Sequence, residues 1–319
     1  MKIGFLNNQI DNRGTGNAIF DYAHYNEELL NNNSFIIIPD MATKDPMMEA
    51  RLLNRFDKIY TLSEAETLNL DLLYHIKGGN DDGQRGIPGV PYAVHAVFHY
   101  GPHGDKYAMI SSWLGKKHSA PFVPHIVSLP EGMNNIRENL GIPQSDIVFG
   151  RHGGNDTFDI GWAWSAINRV LEARSDVWFL MMNTNGPEAE IYDPKRVIFV
   201  DPAYNPVHKR VFINTCDAML HARWRGETFG IAVGEFAICN KTIFTYKDSP
   251  EQAHIEELIG SGIPILYDSE NSLYNEMMAY CNHTIQQKYF GGYNNYTPEK
   301  VMAKFKEVFL DNLMDYHGI

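Results

Sequence analysis

The sequence predicts an α/β protein with two doubly wound parallel sheets, each carried on its own lobe. Three features predict this. Short apolar runs of strand character alternate with amphipathic stretches, the pattern of parallel strands covered by helices on both faces. The first run leads into a polar, glycine-containing loop and then a helix. At 319 residues the chain exceeds one ordinary core and suits two domains of about 100–200 residues.

In the first lobe, residues 2–6 read as the opening strand, 12–17 (NRGTGN) as the loop and 18–30 as the helix. Residues 34–39 (SFIIIP) and 58–62 (KIYTL) read as strands with a helix over 46–56 between them. The glycines and acids of 78–89 (GGNDDGQRGIPG) mark a surface loop. Strand character returns at 92–98, a helix is predicted over 105–117, and 120–127 (APFVPHIV) is expected to be the last strand before a crossing at 128–132. The second lobe reads more clearly. Strands are predicted at 147–150, 177–182, 197–200, 218–220, 242–246 and 264–267, and helices at 161–173, 206–216, 230–238 and 251–259. Residues 298–313 place Val301, Phe305, Val308, Phe309 and Leu313 on one helical face. The predicted division is therefore 1–130, 131–295, and a C-terminal helix within 296–319 that packs back on the first lobe.

Composition narrows the function. A net charge of −12 disfavours the extended phosphate-backbone contacts that nucleic acid or an anionic membrane surface requires. No apolar run approaches the roughly 20 residues of a membrane span, and the N-terminus has no signal-peptide apolar core. Cys216, Cys239 and Cys281 are odd in number and lack paired spacing, which fits a reducing, cytoplasmic setting and no zinc cage.

The chemistry concentrates in Arg225-Gly226-Glu227-Thr228-Phe229-Gly230-Ile231-Ala232-Val233-Gly234-Glu235, which follows a predicted strand and opens a helix. A helix start offers free N–H groups and the positive end of its dipole, and so suits a diphosphate. Glu227 stays in the loop, while Glu235 lies about two turns along the helix, where a carboxylate can accept from ribose hydroxyls. In the first lobe, Gly14 and Gly16 place backbone amides after the first strand, in reach of a donor phosphate or an acceptor, with a simple turn as the other reading. His95, His99 and His103 cluster at a strand end, and of these His95 is favoured for the site, although strand alternation makes a buried core histidine an equal reading. Gly101 and Pro102 break the helix that metal ligation by this cluster would need, and Asp81-Asp82 reads as a solvated loop pair, so no metal is expected.

The stretch from Glu227 to Glu235 resembles the Glu-seven-residue-Glu motif of retaining glycosyltransferases of family 4, two Rossmann-like lobes facing a cleft in the GT-B arrangement. The resemblance runs through the order of elements from Ile147 to about Asp268, beginning with Gly150-Arg151 at a strand end. It implies that Arg151 and the start amides at Phe229, Gly230 and Ile231 hold the diphosphate. It further implies that Glu227 orients the donor sugar and that the loop after residues 197–200 reads the base, with Tyr204 a candidate for stacking or simple packing. One departure is plain. The lysine such enzymes carry five or six residues after the Gly-Arg is missing from His152–Phe158, and Arg223 or Arg225 stands as its replacement. The implied activity is transfer of a sugar from a UDP- or GDP-sugar to a glycan or other hydroxyl acceptor, with retention and without cofactor or metal. Other enzymes of the same fold, inverting transferases or epimerases, and a non-catalytic nucleotide-sugar or glycan binder are the alternatives.

Overall fold

The computed structural model describes residues 1–259, 264–283, 291–311 and 313. The chain forms two compact units, one made of residues 1–126 together with the segment from Tyr296 onward, the other of Val127–Asn295.

The first unit runs β1 (Lys2–Asn7), α1 (Gly14–Glu28), β2 (Asn33–Ile38), α2 (Pro46–Arg55), β3 (Ile59–Thr61), α3 (Leu62–Ala65), β4 (Leu72–Lys77), β5 (Tyr92–Ala96), β6 (Lys106–Met109) and α4 (Ser112–His118). Its six strands are parallel in the order β3-β2-β1-β4-β5-β6, with Phe5 opposite Ile36 on one side and Tyr74 on the other. The second unit contains β7 (Ile147–Arg151), α5 (Gly161–Ala173), β8 (Val177–Met182), β9 (Val197–Val200), α6 (Pro206–Thr215) and β10 (Ala218–His221). It continues with β11 (Gly226–Glu227), α7 (Ile231–Ile238), β12 (Thr242–Tyr246), β13 (Glu251–Gln252), α8 (Ala253–Ile259), β14 (Ile265–Tyr267) and α9 (Glu270–Cys281). The order of its main sheet, β14-β12-β10-β7-β8-β9, repeats the plan of the first when read from the other edge. In each sheet the strand order reverses between two neighbours, β1 and β4 in one and β7 and β10 in the other, and ligands of such sheets bind at the carboxyl ends of those strands.

Several expectations, most of them in the first lobe, require correction. Gly14 and Gly16 lie in the first turn of α1, because the helix starts at Gly14 and leaves no glycine loop before it. A Cβ on Gly16 would lie 2.0 Å from the Asp11 carbonyl oxygen, so glycine there serves a close chain approach. Residues 105–117 are a strand and a helix in place of one helix: Asp105 accepts from Tyr92 N (2.7 Å), β6 pairs with β5, and Ser111 caps α4. The strand expected over 120–127 reduces to a single bridge from Met109 to Phe122, because Pro121 and Pro124 have no N–H to extend a ladder. β4 and α9 form where neither was anticipated, and the helix predicted from residue 251 starts at Ala253, since Glu251 and Gln252 pair with β11. The C-terminal segment forms α10 (Pro298–Phe305) and a π turn, Lys306–Leu310, both in the first unit; residues 312 and 314–319 lie outside the described residues.

His95 belongs to the core of the first unit. It is fully buried, and its Nε2–H donates to the Val123 carbonyl (2.8 Å), so its Nδ1 accepts from the Tyr74 hydroxyl (2.6 Å). Both ring nitrogens are thus spent on protein partners, and burial pushes its pKa down to about 4. The unfolded chain protonates this ring below about pH 6.5, whereas the folded chain resists until about pH 4. His95 therefore contributes stability that is complete above pH 6.5 and is lost as pH falls through 4, roughly 3 kcal/mol across that window. Urea midpoints of His95→Gln should fall less steeply than wild type between pH 7 and 4; parallel profiles would refute this assignment.

Candidate active site

The sequence motif sits at the carboxyl ends of β7 and β10, the reversal point of the second sheet. Arg151 ends β7 and is buried. Its Nη1 donates to Asn183 O (2.8 Å) and Thr184 Oγ1 (2.6 Å), and its Nη2 to Gly154 O (2.6 Å) and Thr157 Oγ1 (2.5 Å). These bonds tie residues 154–157 to residues 183–184. Its forked donors thus hold the two loops.

β10 ends in His221, after which the chain turns through Arg223 and Trp224 into β11. Gly226 has φ +74°, and a Cβ there would lie 2.0 Å from the Glu251 carbonyl oxygen, so only glycine lets β11 pair with β13. That pairing fixes Glu227. Its Oε2 accepts from Arg223 Nη1 (2.6 Å) and its Oε1 from His221 Nε2 (3.3 Å). Burial raises the Glu227 pKa, but the His221 hydrogen bond and the Arg223 charge outweigh it and hold the carboxyl at about 2.

Of the two arginines flanking Trp224, the structure separates the roles. Arg223 faces Glu227, close enough that its charge also acts on Arg151. Arg225 instead turns to Glu251 of β13, with Nε and Nη2 at 2.9 and 2.8 Å from Oε1.

Gly230 caps α7 with no side-chain cap, and the helical bonding opens with Gly234 N to Gly230 O (2.9 Å), so the amides of the first turn lie outside the helix's own ladder. The Phe229 ring is buried edge-on to Tyr293, whose hydroxyl donates to Phe229 O (2.6 Å), which pins the backbone ahead of the helix. Along α7, Glu235 is nearly fully buried. Lys209 of α6 donates to its Oε1 (2.9 Å), and His152 Nε2 lies 3.0 Å from its Oε2, in contact but off the line a hydrogen bond needs. Burial raises the Glu235 pKa; the Lys209 charge and His152 bring it down to about 2. Tyr204 is partly buried in the turn between β9 and α6.

The structure thus brings together Arg151, Glu227, residues 229–231 and Glu235 in the second unit, and leaves Gly14, Gly16 and His95 in the first. Reasoning from the sequence missed His221, His152 and Lys209. Lys209 had one available signal, a cation near the start of the helix that follows the expected base-reading loop. In the first unit, Asp81, Asp82 and His103 offer ligand atoms within 4.8 Å of one another. The Lys77 ammonium, bonded to Asp82 and 3.2 Å from His103 Nε2, already supplies positive charge there.

No protein-family model and no curated protein matches the chain. Solved structures do. A glycosyltransferase from Rickettsia africae ESF-5 is similar over 98% of this chain and 99% of its own, at TM-score 0.68 and 11% identity. Anabaena HepE in complex with UDP and glucose is similar over 99% and 96%, at TM-score 0.62 and 13% identity. A UDP-N-acetylglucosamine 2-epimerase is similar over 100% and 97%, at TM-score 0.60 and 12% identity. At such identities the likeness is one of fold, and it shows this chain's two parallel six-stranded sheets to be of the GT-B type.

Proposed function

We propose that this chain is a glycosyltransferase that moves a sugar from a UDP- or GDP-sugar to the hydroxyl of a glycan or other acceptor, with retention and without a metal. The observation that carries the proposal is the convergence of Arg223, Glu227, the start of α7 and Glu235 on the reversal point of the second sheet. The structure of HepE with UDP and glucose supports it, since that protein shares the fold and holds those molecules.

In this reading the second unit holds the donor. Arg223 and the first-turn amides of α7 face the diphosphate and stabilise the charge that develops as the glycosidic bond breaks. Glu227, kept ionised, orients sugar hydroxyls, and Glu235 receives the ribose. Tyr204 flanks the base. Arg151 acts through the loops it ties. The first unit, with the start of α1 at Gly14 and Gly16, takes the acceptor, whose hydroxyl attacks on the face the leaving group departs from. His95, enclosed in its core, takes no part. A second reading, a nucleotide-sugar epimerase, is favoured by the epimerases among the similar structures.

Calorimetry of the chain with UDP, GDP and their common sugars in EDTA tests the proposal. One nucleotide sugar should bind, and Glu235→Ala should weaken it at least about tenfold, the worth of a hydrogen bond to a charged group. No binding by the wild type at millimolar ligand refutes the reading. The anomer of the transfer product decides retention, and an epimerised free sugar would favour the second reading.

A further inference from the structure

Behind Glu227 lies a line of polar side chains that the proposed reaction does not use. β10 and β12 are adjacent and parallel, with His221 directly opposite Thr245 at their carboxyl ends. His221 Nδ1 and Thr245 Oγ1 are 2.8 Å apart, and Thr245 Oγ1 and His254 Nε2, from the first turn of α8, are 2.9 Å apart. The two imidazoles lie 4.9 Å from each other, Thr245 and His254 are wholly buried, and His221 is nearly so.

We infer that His221 is the positioning residue of Glu227, and that Thr245 and His254 fix its tautomer through a one-way hydrogen-bond relay. For a His221 that carries one proton, the order follows from its Glu227 end. The ionised Glu227 carboxylate only accepts, so the His221 proton must sit on Nε2. The Nδ1 of a neutral His221 is then an acceptor, and the single Thr245 hydroxyl proton is committed to it. Thr245 can accept only from behind, so His254 donates through Nε2–H. Burial and the neighbouring His221 push the His254 pKa down to about 3, which keeps that ring neutral with a single proton to place. All the protons in the line point at Glu227. Arg223 holds one oxygen of the carboxylate and the relay holds the other, so both are fixed before any ligand arrives.

Only the kinetic arm of the test rests on the glycosyltransferase reading. Thr245→Val keeps the volume and removes the hydroxyl; Thr245→Ser restores it. In two-bond proton–nitrogen spectra of the ligand-free full chain with labelled histidine, assigned through His221→Gln and His254→Gln, both rings should carry the proton on Nε2. Thr245→Val should release His221 to a mixed tautomer, and Thr245→Ser should not. A His221 protonated on Nδ1 in the wild type, or unmoved by Thr245→Val, overturns the relay. In the kinetic arm, using whichever UDP- or GDP-sugar binds, Thr245→Val should lower kcat roughly five- to tenfold, the worth of one hydrogen bond. Affinity for UDP or GDP alone should be unchanged, and Thr245→Ser should recover kcat. An unchanged kcat in Thr245→Val overturns the positioning role. If the wild type binds no nucleotide sugar, the glycosyltransferase reading fails while the spectra still decide the relay.

Discussion

On the proposed function, Arg223→Met should reduce sugar transfer by about 100-fold or more, the usual loss when a preorganised charge facing a developing anion is removed. Three other cations near this edge of the second sheet are held by protein partners. Arg151 spends both terminal nitrogens on four internal acceptors, Arg225 is turned to Glu251, and Lys209 is held by Glu235. Arg223 meets Glu227 through Nη1 alone among the described residues, and its side chain is about one-fifth exposed, so it retains donors for an incoming diphosphate. The methionine keeps length and apolar packing while removing the fork. Arg223→Lys should recover part of the loss, since it returns the charge without the bidentate geometry. Steady-state rates with the cognate nucleotide sugar decide this; a variant within about twofold of wild type would take Arg223 out of the chemistry.

Phe305→Ala should cost the first unit about 4 kcal/mol, within the range for removing a buried aromatic. The ring is fully buried, stacked on Tyr22 (centroids 5.3 Å apart) and Phe5 (6.2 Å) and set edge-on against Tyr74 (5.1 Å). These neighbours lie on α1, β1 and β4, framework elements unable to collapse into the space left. For a unit of this size the thermal midpoint should drop by about 10 °C. Differential scanning calorimetry measures it, and a loss below about 1 kcal/mol would show that α10 is only loosely seated.

The second sheet was legible because its strands are short apolar runs with few polar interruptions: residues 177–182, 197–200 and 242–246 fold as strands, and 161–173 as a helix, with the bounds the pattern predicts. The first was harder to read for a physical reason. β4, LLYHIK, is buried along its whole length yet contains His75 and Lys77. Their partners, Asn8, Tyr92, Asp82 and His103, come from elsewhere in the chain, so the strand conceals its burial from any local window. The site divides in the same way. Glu227 and Glu235 were visible because one turn and one helix carry both. His221, Lys209 and His152 were not, because they reach those carboxylates only once β7, β10 and α6 stand side by side. His95 illustrates the converse: its position at a strand end was read correctly as strand, but spacing does not say that both nitrogens face protein.

The excursion of the chain out of the first unit at residue 127 and back at residue 296 has a consequence for biosynthesis. Everything the second unit needs emerges from the ribosome as one uninterrupted stretch, so its folding does not depend on the residues from 296 onward. The first unit emerges earlier yet must wait, because Phe305 and Phe309 are missing from among Tyr22, Tyr74 and His95 until the later segment appears. A nascent chain in which residues 1–295 are followed by an unstructured linker long enough to fill the exit tunnel should therefore carry a protease-resistant second unit behind a first unit that trypsin still cuts, reversing the order in which the two halves were made.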